Sequence, residues 1–163
     1  MRRGMIVLAA VGAVLGLIGG VALATPVIGA SAETARGPLV DRPLDVNWRF
    51  APGVKLQTKG PIEVAYQRIT IAPGGTLGWH SHPGPYRGYG VSGDPELLPR
   101  RRLHQWIEYA TGQSFSNMPD EIHLARNEGT SPVVVFASYY LMQTSPPAPL
   151  RIDRPSPGAG CPE

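Results

Sequence analysis

Cysteine is nearly absent from this chain: Cys161 is the only one, so no disulfide can close within it. No internal repeat is present, and no convincing amphipathic helix, which removes solenoids and helical bundles from consideration. Basic charge is scarce once its position is considered. The formal net charge is +3, but Arg2 and Arg3 lie in an acid-free stretch, residues 1–32, and without them the chain is close to neutral. Arg100, Arg101 and Arg102 form a triplet with no interleaved aromatics. No nucleic-acid partner is therefore expected, and the triplet reads as a solvated basic face.

What is present begins with the N-terminus, "MRRGMIVLAAVGAVLGLIGGVALATPVIGASAETARG". A charged start, an apolar stretch over residues 5–24 and the small residues Ala30-Ser31-Ala32 describe a secretory signal over 1–32, cut before Glu33. The alternative is an uncleaved membrane anchor, because an apolar run of this length could span a bilayer. Expected localisation is secreted or extracytoplasmic, or anchored and facing outside in the alternative. A membrane partner follows only if the segment stays uncleaved. No cysteine lies near the cut to carry a lipid.

The length of 163 residues suits one domain. Residues 33–61 read as an N-terminal arm with one or two edge strands, 62–145 as the folded barrel and 146–163 as a Pro-rich tail. In "IEVAYQRITI" the apolar positions Ile62, Val64 and Tyr66, then Ile69 and Ile71, keep a period of two with one slip. That pattern predicts a strand with a bulge or bend. "LGWHSH" reads as a short strand between turns, 113–127 as two short strands broken near Met118 and Asp120, and "PVVVFASYYLM" as the strongest strand. Short strands between Gly/Pro turns indicate an all-β sandwich or barrel.

Two of the four histidines, His80 and His82, stand two positions apart in "GWHSHPGP". On a strand such side chains share a face, so the imidazoles aim at one point and suit a divalent transition metal. His123 lies in a second strand-like segment; if the two strands face each other, three imidazoles meet, with positions left for water or substrate. By itself an HxH pair is as readily a polar outer face.

The order "PGGTLGWHSH", Gly93, Gly112, Pro119, His123, Asn127 resembles the cupin superfamily of small jelly-roll barrels, whose motifs are G-x5-H-x-H-x3–4-E-x6-G and G-x5-P-x-G-x2-H-x3-N. Gly74 stands six residues before His80, Gly93 falls where the first motif ends, and the second motif is followed with altered spacing between Pro119 and His123. More narrowly the chain is similar to small exported cupin-domain proteins of actinobacteria in "APGG", "GWHSHPGP", "GQSF", "HLARNEG" and "PLRIDRPSPG". The resemblance implies an all-β fold, a single cupin jelly-roll barrel with an N-terminal signal segment and a Pro-rich C-terminal tail. It implies a divalent metal on His80, His82 and His123. The carboxylate position of the first motif is Tyr86, and Asp120 and Glu121 look like turn residues, so no acid completes the set. His104 lies outside the pattern and reads as a surface residue.

Between the motifs a cupin needs two barrel strands, yet "YRGYGVSGDPELLPRRRLHQWIE" (86–108) alternates glycine and carries two prolines, poor central-strand residues. It reads as a long loop. One explanation is a displaced reading frame: read one base later, permissible codons for Arg87 to Leu98 encode the valine-rich strands that the related proteins carry. Those for residues 102–105 then supply a cysteine to pair with Cys161. A frameshift-damaged, inactive copy is therefore one reading. The leading one is a metal-binding barrel for a small-molecule ligand; if it is an enzyme, a bound metal acts as a Lewis acid or binds dioxygen, giving isomerase or dioxygenase chemistry. A non-catalytic binding module for a sugar or metabolite is the alternative. Trp79, Phe115, Phe136, Tyr139 and Tyr140 are candidates for the pocket wall or the core.

Overall fold

The computed structural model describes residues 25–38, 45–46, 56–57, 60–99 and 105–158. Residues 1–24 of the expected signal, 1–32, together with the arginine triplet, His104 and Cys161, lie outside the described residues. Among those described there is no helix, and twelve strands follow in order. They are β1 (Ile28–Pro38), β2 (Asp45–Val46), β3 (Leu56–Gln57), β4 (Ile62–Thr76), β5 (His80–Ser81), β6 (Tyr86–Ser92), β7 (Glu96–Pro99), β8 (Ile107–Glu108), β9 (Ser114–Asn117), β10 (His123–Arg126), β11 (Val133–Met142) and β12 (Ile152–Asp153). All but β2 and β3 join one curled antiparallel sheet, ordered β12-β5-β10-β4-β11-β6-β9, with β1 also on β4 and β7 between β10 and β8.

β4 organises this sheet. Residues 62–71 pair with β11 along one edge while residues 63–71 pair with β1 along the other, and Thr76 at its far end meets Arg126 of β10. Between these two pairings the chain turns through Ala72, Pro73, Gly74 and Gly75, with Gly74 at φ +71°. Glycine adopts this left-handed backbone without steric cost. The turn carries β4 from one half of the sheet to the other.

The side-chain pattern follows the pleat. Ala65, Ile69 and Ile71 of β4 and Val133, Val135, Ala137, Tyr139 and Leu141 of β11 are buried in one cluster, and small faces large across the strands at Ala65–Tyr139. Each fully buried aliphatic side chain contributes about 1.5–3 kcal/mol. The expected slip in 62–71 is not found, since the register with β11 is unbroken. The inward positions are Glu63, Ala65, Gln67, Ile69 and Ile71, while Tyr66 is 59% exposed. Glu63 is tolerated inside because Arg36 of β1 forms an ion pair with it; charge pairing, not hydrophobicity, carries the period here.

The reading of 86–108 as a loop is also corrected over its described residues, 86–99 and 105–108. β6 lies between β11 and β9, and β7 pairs with both β10 and β8. Gly88 and Gly90 are inward positions of β6. A Cβ on Gly88 would overlap the ring of Phe115, its cross-strand partner. The aromatic covers the glycine backbone and fills the space that a β-branched residue would take. Gly88 is thus a packing solution, and a damaged copy loses its premise, a sheet left open at this segment.

Candidate metal centre

β5 and β10 lie side by side with His80 directly opposite His123, and His82 follows β5. All three are buried. Ring centroids are 4.2 Å apart for His80 and His123, and 5.0 Å for His82 with either. One ligand atom from each lies within 4.8 Å of the others. The structure therefore brings together the three residues expected from the motif order.

Their protonation follows from the partners of the other ring nitrogen. His80 Nδ1 lies 2.8 Å from the Gly78 carbonyl, His82 Nδ1 2.8 Å from that of Leu150, and His123 Nδ1 2.9 Å from that of Glu121. A carbonyl only accepts, so each Nδ1 donates, and in a neutral ring the lone pair is left on Nε2. Burial keeps the rings neutral. It holds His80 well below the ordinary imidazole value and His82 at about 3, with the neighbouring His123 adding to the effect on both; burial also lowers His123, to about 4. His82 Nε2 is buried without any partner. A buried unpaired acceptor is costly, and a divalent ion on three Nε2 atoms would satisfy it. The donor set fits such an ion.

The imidazoles open into a cavity of about 170 Å³, smaller than the roughly 300–1,000 Å³ of pockets for drug-sized ligands. Its further lining includes Gln67, Ile69, Leu77, Tyr86, Phe115, Tyr139 and Arg151, and among the described residues it contains no Asp or Glu. Tyr86, at the motif's carboxylate position, stacks on His82 with centroids 4.6 Å apart. Burial pushes its phenol well above the ordinary value, so in the metal-free protein this position carries a neutral phenol where the motif has a carboxylate. The Tyr139 hydroxyl donates to Gln67 Oε1 at 2.6 Å, and Gln67 Nε2 donates to Thr34 Oγ1 on β1 at 2.9 Å.

Of the aromatic candidates, Phe115 and Tyr139 line the cavity. Trp79 is instead fully buried in a second cluster with Leu124, Phe136 is 50% exposed, and Tyr140 sits on the outer face of β11. Their places follow strand parity: 135, 137, 139 and 141 point inward, 136 and 140 outward. The residue that sequence reasoning missed is Arg151, which lines the cavity although it belongs to the Pro-rich tail. It arrives because β12 pairs with β5 and the Arg154 amide donates to the Trp79 carbonyl. Arg151 Nε donates to Asp153, while its Nη2 is buried and unpartnered.

Residues 67–139 match the family model of the cupin domain. The barrel is a cupin domain. The sequence matches no curated protein. Among solved structures, this cupin is similar to a conserved protein of unknown function from Streptococcus pyogenes, at 16% identity over 55% of this chain and 71% of that one, with a TM-score of 0.42. Oxalate oxidase in complex with glycolate matches at 20% identity over 53% of this chain and 52% of that one, TM-score 0.43. Bacillus subtilis oxalate decarboxylase, a protein with Mn(II) centres, matches at 17% identity, over 55% and 28%, with TM-score 0.45. The cupin thus spans about half of the oxidase chain and little over a quarter of the decarboxylase.

Proposed function

We propose that this cupin is an exported protein that holds one divalent transition metal on His80, His82 and His123 and takes a small anionic molecule beside it, as an enzyme of dioxygenase or isomerase type. The observation that carries the reading is the fixed tautomer of three buried imidazoles, with His82 Nε2 left without a partner. A bound divalent ion would supply Lewis acidity or a site for dioxygen.

The chain's own residues select the ligand. Three neutral imidazoles bring no negative charge to a dication, and Arg151 adds a further cation to a cavity without any carboxylate. An anionic ligand is what such a site lacks, and the buried Nη2 of Arg151 offers it a charge-assisted hydrogen bond. The Tyr139 hydroxyl gives its one hydrogen to Gln67 Oε1, so Arg151 is the donor that faces the anion. Ile69, Leu77, Leu97 and Phe115 form the apolar wall that keeps water out. A small carboxylate matches this chemistry and the cavity volume.

One observation favours a second reading, a non-catalytic binding module: with Tyr86 in place of the motif's acid, no carboxylate in the cavity can serve as a general base. Turnover separates the two readings. Protein stripped of metal and reloaded separately with Mn(II), Fe(II), Co(II) or Zn(II) is expected to retain about one ion per chain, and His123→Ala far less, because two imidazoles leave too few ligands. Equal retention by both would remove His123 from the centre. Calorimetric titration of the loaded protein with small mono- and dicarboxylates then tests the ligand class.

A further inference from the structure

Resting on the reading that the protein is exported, we infer that its mature N-terminus is Thr25, released by cleavage after Ala22-Leu23-Ala24, and that residues 25–32 are a permanent part of the cavity wall. The chain offers two A-x-A sites, Ala22-Leu23-Ala24 and Ala30-Ser31-Ala32. A peptidase meets the segment before it folds, so both are accessible to it. The folded barrel distinguishes them by what each product keeps.

A chain beginning at Glu33 lacks the first half of β1. Ile28 pairs with Thr76, Ala30 with Ile71, Ser31 with Thr70 and Ala32 with Ile69, so the edge of β4 would lose its partner along that length. The same chain lacks Val27, Ala30, Ser31 and Ala32, which line the cavity with the three histidines. A cut before Glu33 would open the site to solvent from that side.

The motif loop is shaped to receive the segment. A Cβ on Gly78 would stand 2.6 Å from the Thr25 carbonyl oxygen and 2.7 Å from that of Pro26, closer than any side chain tolerates. Thr25 Oγ1 accepts the hydrogen bond of the Trp79 amide, next to His80. A Cβ on Gly75 would likewise meet the Gly29 carbonyl oxygen at 2.8 Å. The backbone of residues 25–29 thus passes directly against two glycines beside the metal motif, although Gly78 is also held at φ +67° and a Cβ on Gly75 would also meet the Ala72 carbonyl oxygen at 2.8 Å. Thr25 N lies 3.4 Å from the Arg154 carbonyl, an acceptor for the α-ammonium that cleavage would create.

N-terminal sequencing and intact mass of protein recovered from medium and cell envelope test this. The expected start is Thr25. A start at Glu33 overturns the inference while leaving export intact, whereas full-length chain in the membrane or cytoplasm overturns it together with the cleaved-export reading. Processing variants give a second readout, by mass and so independent of folding. Ala24→Glu should accumulate precursor and Ala32→Glu should be processed like wild type; the reverse pattern contradicts the assignment. Made directly, a chain starting at Thr25 should melt higher than one starting at Glu33, by about 5 °C or more, and equal melting would show that residues 25–32 are dispensable.

Discussion

The two sides of the cavity are built differently. On the imidazole side every functional ring is buried and its Nδ1 is tied to a main-chain carbonyl, at Gly78, Leu150 or Glu121. On the facing side the wall comes from the small residues Ala30, Ser31 and Ala32 of a largely exposed strand, and the one cation comes from the tail. Backbone-anchored imidazoles hold a geometry that side-chain changes elsewhere hardly disturb, while an edge strand and a tail can vary and thereby reset volume and charge. Metal binding and ligand choice should therefore respond to different mutations.

The largest effect should come from breaking the imidazole side. His82→Ala should abolish stoichiometric metal retention, read by elemental analysis, whereas Ser31→Ala on the facing wall should leave it unchanged. Acid should act on the same side. Each ring is held neutral below the imidazole value of the unfolded chain, near 6.5, so protonation favours unfolding. Stability of the metal-free protein is complete above about pH 6.5 and is lost as pH falls towards the folded values of about 4 for His123 and about 3 for His82. At pH 5 this amounts to about 2 kcal/mol for each of His82 and His123, to be read from denaturant melts at pH 7.5 and 5.

Smaller effects should come from Gly78, where the two sides meet, and from the facing side. Gly78→Ala places a side chain at φ +67° against the Thr25–Pro26 backbone and should cost about 2–3 kcal/mol in thermal or denaturant melts. Arg151→Gln should weaken binding of a small carboxylate about tenfold or more with metal content unchanged, by calorimetry on the loaded protein. The smallest change, Tyr139→Phe, removes one hydrogen bond to Gln67 and should lower stability by about 1 kcal/mol. If Arg151→Gln instead lost the metal, the division between the two sides would fail.

The same division separates what was legible in the sequence from what was not. His80, His82 and His123 carry their chemistry in residue type and spacing, and β9, β10 and β11 follow strand periodicity closely enough to be placed. Arg151 was not legible, because its role depends on the tail folding back as β12 onto β5, a pairing that leaves no local pattern. β6 was misread because Gly88 and Gly90 look like turn residues until Phe115 is found over Gly88; a strand's small inward positions are set by its neighbour, not by itself. The slip expected in β4 came from taking Tyr66 as an inward apolar position, when it is exposed and Glu63, paired with Arg36, is buried.

The central claim is that three neutral imidazoles present Nε2 to one ion. Nitrogen NMR of the histidines, recorded on metal-free protein at pH 7.5 and again with one equivalent of Zn(II), tests it directly. The account predicts Nδ1–H tautomers for His80, His82 and His123 before metal, and a shift of the Nε2 resonance of those three, and not of His104, on saturation at one ion per chain. Nε2–H tautomers at these positions, or a full equivalent of bound metal without shifts at all three, would contradict it.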